Sequence, residues 1–262
     1  MDISHLQTVN NMITKRFITL FLLLGLLVPA ANSQTVFFST DFNSGNPPEF
    51  TGPNSNESVQ GFANHPPFSG NFLRNASSGG QANATLLSLS GLPTHTSIDL
   101  NFLLALIDSW DGQNQGGDGM VVRVDGVTVF GGFFFGNCFN GAGNTYIPPL
   151  GGEIVRLVDL GFNTVNPCFS ETGYNMGLDP VFDSIPHTAS TLVVEWYATG
   201  STYQGGTDES FAIENVEVVL NGTQVAPVPT LSQWGLIILA LVILCIGAIA
   251  ITKARQRQLQ GT

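Results

Sequence analysis

Gly119-Met120-Val121-Val122-Arg123-Val124-Asp125-Gly126-Val127-Thr128-Val129-Phe130 is the stretch from which the fold can be read. Two valine-rich runs flank Asp125-Gly126. Glycine takes the positive φ of a type I′ turn without a Cβ penalty, so Asp-Gly between β-branched runs predicts a tight antiparallel hairpin. The predicted strands are Gly119–Val124 and Val127–Phe135. Working outward, the same signature predicts strands at Thr35–Ser39, Asn83–Leu89, Ser97–Ile107, Glu153–Leu160, Thr191–Ala198 and Ser210–Leu220. Gly, Asn, Pro and Asp punctuate them. In Thr191–Ala198, Leu192, Val194 and Trp196 share one face, and Val193, Glu195 and Tyr197 share the other. Phe133, Phe134 and Phe135 read as core plus edge. No amphipathic helix of useful length precedes the C-terminal region. Eight such strands in one domain's worth of chain imply an all-β jelly roll or β-sandwich with one C-terminal transmembrane helix.

Both ends of the chain carry different signals. Lys15 and Arg16 precede an apolar run from Phe17 to Ala30, and Ala31-Asn32-Ser33 has the small-x-small pattern of a cleavage site. Residues 1–33 therefore read as a secretory signal peptide, with Met12 as an alternative start. At the other end, Leu236 to Ile251 carries no charge and no strong polar group. With its flanks the run makes about 28 Å of helix, close to the roughly 30 Å hydrocarbon core of a bilayer. A transmembrane helix is expected at about 235–252. Lys253, Arg255 and Arg257 follow it and mark the cytoplasmic side, while Trp234 suits the opposite interface. The bulk of the chain is then exported, with its C-terminus in the cytoplasm. Residues 34–221 form the ectodomain and 222–229, with two prolines, a short linker.

The segment Val228-Pro229-Thr230-Leu231-Ser232-Gln233-Trp234-Gly235, followed by the apolar run and the basic end, resembles the IPTL-CTERM protein-sorting signal. The resemblance spans about residues 228–257 and rests on Val228, Pro229, Thr230, Leu231, Trp234 and Gly235. It implies recognition by an exosortase-type sorting enzyme and delivery to the cell surface or outer envelope. Cleavage with transfer to a carrier and a permanent single-span anchor are both open at this level. Within the ectodomain, Leu92-Pro93-Thr94-His95-Thr96, Ile107-Asp108-Ser109-Trp110-Asp111-Gly112, Val124-Asp125-Gly126-Val127, His187-Thr188-Ala189-Ser190 and Asp208-Glu209-Ser210-Phe211-Ala212-Ile213-Glu214-Asn215-Val216 are similar to blocks of jelly-roll surface modules. Those modules are of the concanavalin-like, carbohydrate-binding type. This similarity implies a module that binds glycan or matrix.

Composition narrows the partners. The ectodomain has eighteen acidic residues against Arg74, Arg123 and Arg156 and no lysine, so its formal charge is 3 − 18 = −15. Such a field repels phosphate and disfavours nucleic acid. Cys138 and Cys168 form an even pair in an exported domain, which favours a disulfide over two free thiols. Closing a 30-residue loop contributes on the order of 3–4 kcal/mol.

Candidate chemistry is limited. Asp108, Asp111, Asp118, Asp208 and Glu209 fall in Gly-rich loops at predicted strand ends, and Asp41 joins the set if the first and last strands pair. Oxygen donors on loops are what Ca²⁺ takes, so one calcium clamping these loops is an expectation, against plain solvated carboxylates. Trp110 and Tyr203 are candidate rings for stacking on sugar. His95 and His187 read as turn residues, each delivering the chain into a strand. A polysaccharide hydrolase would need two carboxylates facing one cleft. Glu195, or Glu214 with Glu217, are the candidates, and Glu214 and Glu217 are expected on opposite faces of a regular strand. No nucleophile elbow, zinc-binding helix or phosphate loop is present, and no catalytic residue is assigned. A binding module, a structural surface or biofilm-matrix component without a small ligand, and a hydrolase are the function classes these residues leave open.

Overall fold

A computed structural model describes residues 32–163, 168–223 and 231–260. Residues 1–31 of the expected signal peptide, most of the expected linker, and Val228, Pro229 and Thr230 lie outside the described residues. Ser33–Gly222 forms one compact unit, and the C-terminal helix belongs to another.

The first unit is a sandwich of thirteen strands: β1 (Asn32–Thr40), β2 (Phe50–Thr51), β3 (Ser55–Ser58), β4 (Asn71–Asn75), β5 (Thr85–Ser90), β6 (Ser97–Asp108), β7 (Gly119–Val124), β8 (Val127–Phe130), β9 (Glu153–Val158), β10 (Glu171–Asn175), β11 (Ile185–Pro186), β12 (Thr191–Thr199) and β13 (Glu209–Thr223). One sheet runs β3-β4-β13-β6-β10-β9, with β1 on β13 and β11 on β6. The other runs β2-β5-β12-β7-β8. From β5 to β7, and again from β11 to β13, the chain crosses from sheet to sheet, as it does in a jelly roll.

The Asp125-Gly126 hairpin is present: β7 pairs with β8 in antiparallel register, and Asp125 and Gly126 have φ of 46° and 79°. β12 alternates as its side chains demand, with Leu192, Val194, Trp196 and Ala198 buried between the sheets. Phe102 of β6 meets Trp196 edge-on with centroids 5.8 Å apart. Phe135 is fully buried and Phe133 is partly exposed, the core-plus-edge arrangement of that aromatic run. β6 is different along its length. Ile98, Leu100 and Phe102 face the inter-sheet core. Leu103, Ala105 and Ile107 face a second apolar layer of Val59, Phe62, Phe68, Phe72, Val155, Leu160 and Ala212 on the other side of the same sheet. Both faces of this half of β6 are covered, which is why its sequence loses alternation.

The strand predicted to reach Phe135 stops at Phe130, before Gly131-Gly132. Phe134 returns only as an isolated bridge to Gly119. Five strands without a hydrophobic signature were missed: β2, β3, β4, β10 and β11. β3 is Ser-Asn-Glu-Ser and is held by its register with Arg74–Asn71. In β10, a Cβ on Gly173 would lie 2.7 Å from the Phe68 ring and 3.1 Å from that of Phe62, so packing requires the glycine that weakens the strand signal.

The expectation that Glu214 and Glu217 face opposite ways is corrected. Glu214 pairs with Leu103 and Glu217 with Asn101, so three residues of β13 span two of β6. The extra residue is a bulge with Asn215 at φ 49°, and it brings both glutamates to one face.

Cys138 and Cys168 are joined in a disulfide. The neighbouring Asn137 organises the region. Its side-chain amide donates to the carbonyls of Leu106 and Asp108, and its Oδ1 accepts from the Thr172 hydroxyl. The bridge is thereby locked to the ends of β6 and β10.

The second described unit is the helix α1 (Leu231–Gln260). Gly235–Arg257 within it is long and apolar enough to cross a membrane. Its 23 residues span about 35 Å. Leu236, Leu239, Ile243 and Ile249 are exposed on successive faces, so the helix has no polar side to turn to water.

Candidate functional site

Three carboxylates converge from separate loops. Asp111 follows β6, Asp118 precedes β7 and Glu209 begins β13. One oxygen of each lies within 4.8 Å of the others. Asp118 and Glu209 are completely buried, and Asp111 is partly so. The loop between Asp111 and Asp118 is folded back on itself, with the Gly117 amide donating to the Gly112 carbonyl. The Asp111 amide donates to Asp118 Oδ2 at 2.7 Å, and the Thr202 hydroxyl donates to Oδ1 at 3.0 Å. Gly200 backs this arrangement at φ 145°, where a Cβ would lie 2.8 Å from Asp118 Oδ1.

Nothing comparable holds Glu209. Neither of its carboxylate oxygens accepts a hydrogen bond among the described residues. Burial first, then the Asp118 charge, pushes its carboxyl up to about 9. Asp208 and Asp111 add to this. The Gln204 amide offsets part of it, by more than either Asp208 or Asp111 adds. Burial also raises Asp118 and Asp111, the latter aided by the Asp118 charge. Two charges about 4.8 Å apart repel by about 3 kcal/mol at an effective dielectric of about 20. Among the described residues no arginine, lysine or histidine forms an ion pair with any of the three. Arg74, nearby, is engaged by Glu57 at 3.2 Å and by Asp108 at 3.8 Å.

The remaining members of the expected calcium set lie outside this group. Asp108 faces Arg74, and burial raises its carboxyl to about 6. Asp208 accepts from the Ser109 hydroxyl at 3.0 Å. Asp41 is a correction to the expected clustering. It closes a turn with Asn43 and lines a separate open groove with Ser39, Thr40, Asn215, Val216 and Glu217. β1 does pair with β13, but that pairing does not bring Asp41 to the loops around Glu209.

Trp110 and Tyr203 are a second correction. Trp110 is fully buried, donates its indole N–H to the Ser210 carbonyl at 2.9 Å and meets Tyr203 edge-on at 5.1 Å. Tyr203 is buried as well. A ring enclosed by core neighbours has no face for a sugar, and both rings are part of the inter-sheet core.

The two histidines are more than turn residues. His95 Nδ1 lies 2.6 Å from the Pro93 carbonyl, His95 Nε2 lies 2.6 Å from His187 Nδ1, and His187 Nε2 lies 2.9 Å from Asp125 Oδ2. The two rings stack with centroids 4.9 Å apart and link the turn after Pro93 to the β7–β8 turn. Asp125 Oδ1 also accepts from the Val193 amide, which ties the β7–β8 turn to β12. The signal was the repeated Pro-then-His context before two strands. What it lacked was the pairing that sets β11 on the start of β6.

The C-terminal segment, residues 226–257, matches the IPTL-CTERM motif. No curated protein matches the chain. Among solved structures, the chain is similar to the CBM22-1 xylan-binding domain of Paenibacillus barcinonensis Xyn10C, at 11% identity over 73% of this chain and 97% of that one, with a TM-score of 0.33. It is also similar to Arthrobacter globiformis T6 isomalto-dextranase complexed with panose, at 12% identity over 72% and 24%, TM-score 0.28. A third is SGBP-B from a complex xyloglucan utilization locus in Bacteroides uniformis, at 14% identity over 65% and 46%, TM-score 0.28. The chain spans about a quarter and under half of the latter two.

Proposed function

We propose that this chain is an exported surface protein whose C-terminal segment is both membrane span and sorting signal, and whose disulfide-stapled β-sandwich engages glycan or matrix outside the cell. The observation that carries the reading is the coincidence of the IPTL-CTERM motif with a helix apolar on all faces. Lys253, Arg255 and Arg257 orient the helix with its C-terminus in the cytoplasm. An exosortase-type enzyme is the partner that reads the motif. The Cys138–Cys168 bridge suits the oxidising side of the membrane.

For the sandwich, the lysine-free acidic domain excludes polyanions and leaves neutral polymers as partners. The burial of Trp110 and Tyr203 moves any stacking contact elsewhere. Tyr197, half-buried on the solvent side of β12 opposite Val121, is the ring that the β7–β12 face offers. A non-catalytic role is part of the reading, because Glu195 on that face is held by Arg123 at 3.1 Å and Gln81 at 3.2 Å.

Intact mass spectrometry of the protein from its native envelope tests the first half. A species beginning at Gln34 and ending near Pro229–Thr230, with or without carrier mass, is the sorted product. One running to Thr262 is the anchored form. A soluble species retaining residues 1–33 would refute export. A glycan array tests the second half: a hit is expected to be lost in Tyr197→Ala. Silence on the array together with ordered self-assembly favours the structural surface component.

A further inference from the structure

We propose that Asp111, Asp118 and Glu209 form a binding site for one calcium ion that pins the β6–β7 loop to the start of β13. Two independent observations meet here. The first is convergence: one oxygen of each residue lies within 4.8 Å of the others, the span that two ligands about 2.4 Å from a shared ion reach across it. The second is Glu209 itself, completely buried, with neither oxygen accepting a hydrogen bond among the described residues and one of them directed into the cluster. A buried carboxylate without a donor is otherwise avoided in folded proteins, and a cation is the group that satisfies it together with its two neighbours.

The donor set selects the ion. All three donors are carboxylate oxygens, with no histidine or cysteine in the group, which disfavours zinc and other softer metals. Calcium accepts an irregular shell of six to eight oxygens, so three side chains can be completed by water and main-chain carbonyls. Magnesium demands a near-regular octahedron at about 2.1 Å, tighter than this spread. Asp118 is already aimed by the Asp111 amide and the Thr202 hydroxyl, each occupying one of its oxygens without neutralising it. Trp110, which precedes Asp111, is fixed by its indole hydrogen bond to the carbonyl of Ser210, which follows Glu209.

The test is a titration of the full chain in detergent micelles, stripped with chelator, followed by calorimetry and by thermal melting. Calcium chloride is expected to give one site per chain. At about 100-fold excess over Kd it is expected to raise the melting temperature by roughly 5–10 °C, with a smaller response to magnesium. Glu209→Gln is expected to abolish the calcium response. In chelator it should melt at or above the unsubstituted chain, because Gln is neutral and needs no proton uptake to be buried there. Should that variant fail to fold, Asp111→Asn, at the partly exposed position, is expected to weaken calcium binding at least tenfold. Absence of heat and of a thermal shift with calcium overturns the site, as does a calcium response unchanged in either variant.

Discussion

At the residue scale, Glu171 shows how burial of one carboxyl sets a pH dependence. It is completely buried on β10, its Oε2 accepts from the Leu160 amide, and its Oε1 has no hydrogen-bond partner among the described residues. Burial, reinforced by the Asp108 and Asp159 charges facing it, raises the carboxyl from 4.5 to about 7. Below about pH 4.5 the group is protonated in both the folded and the unfolded chain. Between about 4.5 and 7 the unfolded chain releases the proton while the folded chain keeps it, so stability from this group is lost as pH rises through that window. The full effect is on the order of 3 kcal/mol. Glu171→Gln is expected to flatten that slope and to raise the melting temperature at pH 8. A melting curve that keeps the unsubstituted chain's pH slope would show that Glu171 is not its source. Gly173→Ala is the second prediction at this scale. Its Cβ would press on Phe68 and Phe62, and overpacking of this kind costs about 1–3 kcal/mol in a denaturant titration.

At the scale of elements, the strands that were legible are those burying one face. β7 and β12 alternate, and the Asp125-Gly126 turn between β7 and β8 has a single geometric solution. β3 was illegible because Ser-Asn-Glu-Ser carries no apolar pattern; its order comes from pairing with β4 and from Ser55 and Arg74 bonding to Glu57. β13 was legible as a strand but not in its bulge, since one extra residue leaves composition unchanged while reversing a face. The disulfide belongs to this scale, because it joins the segment after β8 to the approach to β10. Cys138→Ser with Cys168→Ser is expected to lower stability by about 3 kcal/mol, read as an earlier denaturation midpoint with an intact sandwich by circular dichroism. A midpoint unaffected by the double substitution would show that the hydrogen bonds of Asn137 alone hold this corner.

On the scale of the whole molecule, the two described units treat their apolar side chains in opposite ways. The sandwich has its apolar side chains in two enclosed layers, whereas the helix leaves Leu236 through Ile251 uncovered. Lipid satisfies such a helix, because its backbone is internally bonded and its surface is apolar. Leu241→Arg places a charge near the middle of the span and is expected to cost about 3 kcal/mol of insertion. Fractionation of cells should then move the protein from the membrane pellet toward the soluble fraction. Retention in the pellet through alkaline extraction would mean that the span is not what holds the protein there.

The sequence by itself determined the class of the domain, its principal strands, the pairing of Cys138 with Cys168 and the apolar tail. Each of these is written in local periodicity, in turn chemistry or in the count of a single residue type. Tertiary structure alone decided which loop carboxylates meet. Asp111, Asp118 and Glu209 are brought together by the order of strands, while Asp41 is taken elsewhere by β1. It likewise decided that Trp110 faces inward and that His95 finds His187. Sequence spacing constrains neighbours on one element, but contact between elements depends on register and sheet order, which no local pattern encodes.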